Sequence, residues 1–243
     1  MNILFNKPYG VLSQFTPEAG HRALDEFGFP AGVYAAGRLD HDSEGALLLS
    51  DEGRLIKKLL DPKFEHPRAY LVQVDGQITP EALQQLSKGV VIKGYRTKPC
   101  HAEMATPPED LWERVPPIRY RANIPPSWIR ITLIEGKNRQ VRHMTAAVGF
   151  PTLRLIRVQI GNIPLGNLKP GEWRVVTERI VLLRIISYVC RALTLCEHEK
   201  TPFPSRFCDD HGRCFSPTRT LHHLQRHRPI YAHPTSQRLQ HRR

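Results

Sequence analysis

The chain has 243 residues, 40% of them hydrophobic, and carries 35 Lys and Arg against 23 Asp and Glu, a formal net charge of +12 with a pI near 9.8. That excess points to polyanionic partners, nucleic acid first and acidic membrane surface second. The longest apolar run, residues 180–195, is cut by Arg184 and Arg191, the N-terminus lacks a signal-peptide hydrophobic region, and the five cysteines have no paired spacing; membrane-spanning, secreted and disulfide-stapled classes are excluded, and a cytoplasmic protein with no membrane partner is predicted.

The elements follow in chain order. ILFNK (residues 3–7) reads as a short strand ended by Pro8 and Gly10, and GVYAAGRL (32–39) as a second, rich in small residues. GALLLS (45–50) is continuously apolar and reads as a fully buried strand. Asp51 opens a short helix, RLIKKLL, that stops before Pro62. RAYLVQVDG (68–76) alternates as a strand does. Thr79 is placed as an N-cap, with Pro80 in the first turn and Gly89 closing EALQQLSK. VVIKG and PCHAEMA are further strands, and Pro107 to Pro126 is a proline-rich loop. SWIRITLIEG is a strong strand, NRQVRHMTAAVG an amphipathic helix capped at Gly149, and TLRLIRVQIG and EWRVVT the last strands. Strands outnumber helices and mostly precede hairpin-like turns, which predicts an α+β chain on a mixed or antiparallel sheet.

The composition changes near residue 178. Residues 178–243 hold 12 Lys and Arg against 5 Asp and Glu, with seven of the twelve histidines and four of the five cysteines. We place a boundary there and read 178–243 as a basic, disordered or poorly packed tail, with an amphipathic helix pattern over 180–195. Cys196, His198, Cys208, His211 and Cys214 lie close enough to suggest zinc, but no C-x-x-C knuckle is among them and no metal site is expected.

One loop draws most of the chemical interest. Residues 37–50, GRLDHDSEGALLLS, put three carboxylates between two apolar runs. Asp40, Asp42, Glu44 and Gly45 follow the start of a calcium-binding EF-hand loop, yet the twelfth position is Asp51 rather than a glutamate, and the segment upstream is strand-like. A solvated turn is the plainest reading. The third is catalytic: Arg38, two residues before Asp40, can hold a carboxylate ionised where water is scarce, as a nucleophile or general base requires.

GRLDHDSEGALLLS resembles the G-R-L-D-x-x-S-E-G-L-L-L-L-T segment of the RsuA-type pseudouridine synthases. Asn6-Lys7-Pro8-Tyr9-Gly10 resembles their N-K-P-x-G, and Arg68-Ala69-Tyr70 their K-x-Y with Arg for Lys. Glu135 to Met144 resembles their E-G-x-x-R-Q-V-R-R-M, with His143 where relatives often have Arg, and Phe150 through Trp173 resembles their C-terminal segment. Four motifs and a C-terminal segment in the right order are far more specific than any one alone. The details fit best the branch acting on 23S ribosomal RNA.

The resemblance implies a pseudouridine-synthase fold over residues 1–177: a central, mainly antiparallel sheet, flanking helices and a basic cleft, without the S4 RNA-binding module many relatives carry in front. It implies isomerisation of a uridine in 23S rRNA by a monomer needing no cofactor. Asp40 is the essential carboxylate, either nucleophile or base toward the 2′ proton. Tyr70 lies against the uracil, and Arg142 pairs with Asp40. Arg38 helps to displace the target base. Lys7 binds phosphate or supports the loop, and Arg68, Lys137 and Arg139 contact RNA. Asp42 and Glu44 are structural, with Ser43 and Glu44 capping backbone amides. The rival of another class is a non-catalytic RNA-binding or ribosome-assembly module with the same fold.

Overall fold

The structure, a computed structural model, describes residues 1–118 and 124–176. The predicted tail, its helix pattern and the zinc candidates lie outside the described residues. Eleven strands are described: β1 (Asn2–Lys7), β2 (Tyr34–Ala35), β3 (Glu44–Ser50), β4 (Arg68–Val74), β5 (Val91–Ile92), β6 (Tyr95–Arg96), β7 (His101–Met104), β8 (Ser127–Leu133), β9 (Thr152–Ile160), β10 (Ile163–Pro164) and β11 (Trp173–Val176). Three α-helices accompany them, α1 (Gly53–Leu60), α2 (Pro80–Lys88) and α3 (Gln140–Ala147).

One sheet dominates, in the order β11-β1-β3-β9-β4-β8-β7, with β2 added to β3 and β10 to β9. All its pairs are antiparallel except β3–β9, which is parallel. The mainly antiparallel sheet expected from the sequence is therefore present. β5 and β6 form a separate hairpin.

The apolar run of β3 is explained by burial on both faces. Ala46 and Leu48 pack with Leu4, Leu55 and Leu59 under α1, while Leu47 and Leu49 pack on the other side with Ile3, Phe5 and Leu24. Further along the sheet, α2 and α3 cover the face of β4, β8 and β9 that carries Tyr70, Val72, Ile129, Ile131 and Leu155. Thr79 caps α2 as expected, its hydroxyl accepting from the amide of Ala82 at 3.3 Å.

Some local expectations are corrected. GVYAAGRL forms only a two-residue strand, because Gly37 adopts a left-handed φ of 105° and turns the chain out of the sheet. Asp51 does not cap α1: its carboxylate takes the N-terminal ammonium of Met1, and Glu52 occupies the cap position. β6 and β10 were not anticipated; each is two residues long, too short to show a period.

The sheet positions the chemistry. Gly45 on β3 is in register with Arg157 on β9, and Arg157 is in turn opposite Tyr70 on β4. Gly45 is thereby placed two strand spacings, about 10 Å, from Tyr70, and the loop that contains Asp40 leads directly into β3. The β4–β9 pairing shifts register between Ala69 and Tyr70; such a bulge re-aims the side chain beside it.

Candidate active site

The Asp40 loop is tied down from three directions. Ser13 grips Leu39, accepting from its amide at 3.0 Å and donating to its carbonyl at 2.8 Å. The amide of Gly10 donates to the carbonyl of His41 at 2.7 Å, and the amide of Ser43 to that of Asp40 at 3.0 Å, closing a tight turn. The N-K-P-Y-G turn is thus a brace for the loop. Lys7 belongs to that brace: it is fully buried, and its ammonium nitrogen donates to the carbonyls of Pro8 at 2.9 Å and Val11 at 2.7 Å. Of the two roles expected for Lys7, loop support fits and phosphate contact does not, since no solvent-facing surface is left to meet a phosphate.

Burial pushes the Lys7 amine down from its ordinary 10.5 to about 7, against the opposing pull of Glu44, Asp42 and Asp40. A neutral amine still offers a hydrogen to each carbonyl. Between pH 7 and 10.5 the unfolded chain holds the extra proton, so Lys7's contribution to stability increases with pH across that window; below about 7 the cost of burying the charge is fully present. Lys7→Met is expected to flatten that part of the pH–stability profile in urea titrations. Parallel profiles from pH 7 to 10 would show that Lys7 stays charged.

The three carboxylates have separate partners. Arg139 forks onto Asp42, Nη1 to Oδ1 at 3.1 Å and Nη2 to Oδ2 at 2.8 Å, and touches Asp40 only at 3.5 Å. Arg142 donates to the carbonyl oxygen of Asp42 at 2.7 Å and lies 3.4 Å from its carboxylate. Burial alone would raise Asp42, but the hydrogen bonds from Arg139 and the charges of Arg142, Arg139 and His41 outweigh it and hold the carboxyl below its usual range. Asp40, with 31% of its side chain exposed, keeps one long ion contact among the described residues.

This corrects the expected Arg142–Asp40 pair. Arg139 is not on α3 but just before it, in a left-handed conformation with φ of 49°. From there it reaches both carboxylates, whereas Arg142, on the first turn of the helix, meets Asp42. A non-glycine residue held at positive φ costs roughly 1–3 kcal/mol and is characteristic of functional sites.

Glu44 is buried and bound by Arg154 through two contacts, 2.8 Å and 2.9 Å, while the indole of Trp112 donates to it at 2.8 Å. It caps no amide, contrary to expectation, and the hydroxyl of Ser43 has no partner among the described residues. The calcium reading loses two of its ligands, because Asp42 and Glu44 already hold guanidiniums. Gly45 has a different reason to be glycine: its φ is 101°, and a Cβ there would lie 2.3 Å from the carbonyl oxygen of Arg157.

Asp40, Arg38, Arg68, Tyr70, Lys137 and Arg139 line one cleft of about 720 Å³, within the size range of small-ligand sites. Lys7 and Arg142 do not line it. Arg38 and Lys137 are exposed, while Tyr70 is 8% exposed. Arg68 donates to the carbonyls of Leu59 at 3.2 Å and His66 at 3.4 Å. Further cleft residues were missed, Arg157 and Glu135 among them. Arg157 is buried with its Nε on the carbonyl of Ala46 at 2.7 Å, and burial lowers its pKa despite the adjacent Tyr70. Glu135 accepts from the Tyr95 hydroxyl at 2.7 Å, the Lys98 amide at 2.8 Å and Gln140 at 2.5 Å. A charged residue inside the apolar strand TLRLIRVQI was the available signal for Arg157. None marked Glu135 beyond its place in the motif.

Residues 2–147 match the model of the RNA pseudouridylate synthase family. The chain is 52% identical over 172 residues to ribosomal large subunit pseudouridine synthase E of Vibrio parahaemolyticus, covering 71% of this chain and 72% of that one. It is 50% identical over 183 residues to the protein of that name from Xanthomonas campestris, covering 74% and 98%. A solved pseudouridylate synthase superposes with a TM-score of 0.61 at 25% identity, over 74% of this chain and 71% of the other. With the sheet, the cleft and the motif order in agreement, the chain belongs to the RNA pseudouridylate synthase family and is an RNA pseudouridine synthase.

Proposed function

We propose that the chain converts a specific uridine of 23S ribosomal RNA to pseudouridine in this cleft, with Asp40 as the essential carboxylate. The observation that carries the reading is the pairing of a partly exposed Asp40 with Tyr70 in one basic cleft, Asp42 having taken up the strong arginine contacts. The resemblance to large-subunit synthases supports the choice of RNA. The target nucleotide leaves its stack, at a cost of a few kcal/mol, and Arg38 at the cleft surface fills the place it leaves. Tyr70 lies against the uracil. Asp40 acts on the sugar or base as nucleophile, or removes the 2′ proton. In either case the C1′–N1 bond breaks and a C1′–C5 bond forms. The C5 proton leaves and N1 gains one, so the product is an isomer of the substrate and no external reductant or oxidant enters. Arg139, 3.5 Å from the Asp40 carboxylate, orients it within the loop, while Arg142 acts through the backbone of Asp42.

The test is carbodiimide mapping of pseudouridine after incubation of unmodified 23S and 16S transcripts with the protein. One new stop on 23S and none on 16S is expected. Modification of 16S alone would overturn the choice of RNA.

A further inference from the structure

The cleft extends beyond Asp40 and Tyr70 to the β5–β6 hairpin, where Tyr95, Lys98 and Lys137 line it. The hairpin turns at Lys93 and Gly94, both at positive φ (48° and 76°), the geometry of a tight two-residue turn. Tyr95 follows directly. It belongs to none of the apolar clusters of the described core, and the residue is 38% exposed. It is nonetheless held. Its hydroxyl donates to one oxygen of Glu135, whose other oxygen accepts from the Lys98 amide and from Gln140 at the start of α3. A single carboxylate therefore joins the hairpin to the loop that delivers Arg139. The Lys137 ammonium lies 4.9 Å from the ring centroid, and the Lys98 ammonium pairs with Glu65 at 2.5 Å, both side chains being exposed. An exposed aromatic ring outside the apolar clusters, fixed by a hydrogen bond, with the Lys137 ammonium beside it and Lys98 on the same cleft wall, has the form of a base-stacking platform with phosphate contacts.

We propose that this wall is a subsite for a nucleotide flanking the target uridine: its base stacks on Tyr95 and the adjoining phosphate takes Lys137 and Lys98. The proposal rests on the cleft being where RNA binds. Base-on-aromatic stacking predicts that Tyr95→Ala raises KM for the RNA substrate by about 5- to 150-fold with kcat nearly unchanged. Tyr95→Phe and Tyr95→Trp keep a ring and stay near wild type. Lys98→Met and Lys137→Met each lower the slope of log affinity against log salt by about 0.7.

The experiment measures steady-state kinetics on 23S transcript, and in parallel fluorescence anisotropy of a short single-stranded oligouridylate, for the full chain and these variants. Melting temperatures run alongside. A loss confined to Tyr95→Ala supports the subsite. Equal behaviour of Tyr95→Ala and wild type overturns it. An equal loss in Tyr95→Phe also overturns it, since the hydroxyl anchor rather than the ring would then be what matters. If wild type leaves 23S unmodified while the oligouridylate still discriminates Tyr95→Ala, the subsite stands and the 23S reading falls.

Discussion

Glu44→Ala is expected to destabilise the chain by about 3–5 kcal/mol, because it leaves Arg154 buried without its counter-ion. Arg154 and Glu44 are both almost fully buried, their two hydrogen bonds lie at 2.8 Å and 2.9 Å, and the Trp112 indole completes the set. Removing the carboxylate strands a guanidinium whose one remaining hydrogen bond among the described residues is to the Trp112 carbonyl at 2.9 Å. The pair itself contributes far less than that loss suggests, since ionic contacts in an interior roughly offset their own desolvation. The double variant Glu44→Leu with Arg154→Met should therefore recover much of the stability lost in Glu44→Ala. Urea denaturation of the three proteins checks both statements. If the double variant is less stable than Glu44→Ala by a further several kcal/mol, the stranded-charge account is wrong.

Gly45→Ala is the second large effect, and its cause is steric. The added Cβ would stand 2.3 Å from the carbonyl oxygen and 2.8 Å from the nitrogen of Arg157, both backbone atoms of the adjacent parallel strand. A flexible side chain could move aside; two paired strands cannot without parting. The φ of 101° adds strain of its own. Overpacking at ~1–3 kcal/mol and backbone strain at ~1–3 kcal/mol together predict a loss of about 2–6 kcal/mol. Gly149→Ala is the control: φ is also positive there, at 88°, but nothing lies within 4 Å of the added carbon. Its cost is the ~1–2 kcal/mol of the left-handed conformation alone. Thermal melts that rank the two variants equally would remove the close strand approach as the reason for this glycine.

These two positions show how far the sequence could be read. The apolar run of β3 announced burial on both faces, and Thr79-Pro80 announced the start of α2, because both signals are local. Gly45 was legible as a glycine with a purpose, but its purpose is a contact with Arg157, far away in the chain, and a calcium loop offered the same letters. The partners of the loop carboxylates were out of reach for the same reason. Arg139 and Arg142 are three apart, and on an ideal helix either could have met Asp40; the left-handed turn at Arg139 decides that Arg139 does. The sequence left Lys7 open between phosphate contact and loop support, and only the packing around it shows that it is enclosed. What carried Asp40 and Tyr70 was the ordered set of motifs. What carried their proximity was the strand order β3-β9-β4.

The account depends on Asp40 above all, and the direct test is tritium release from protein-free, unmodified 23S rRNA labelled at uridine C5. The wild-type chain is compared with Asp40→Ala and with Asp42→Asn. Release by wild type, none by Asp40→Ala, and reduced but measurable release by Asp42→Asn is the predicted pattern, since Asp42 holds Arg139 and Arg142 while Asp40 is the carboxylate proposed to act on the nucleotide. Release by Asp40→Ala at the wild-type rate would contradict the assignment of the essential carboxylate.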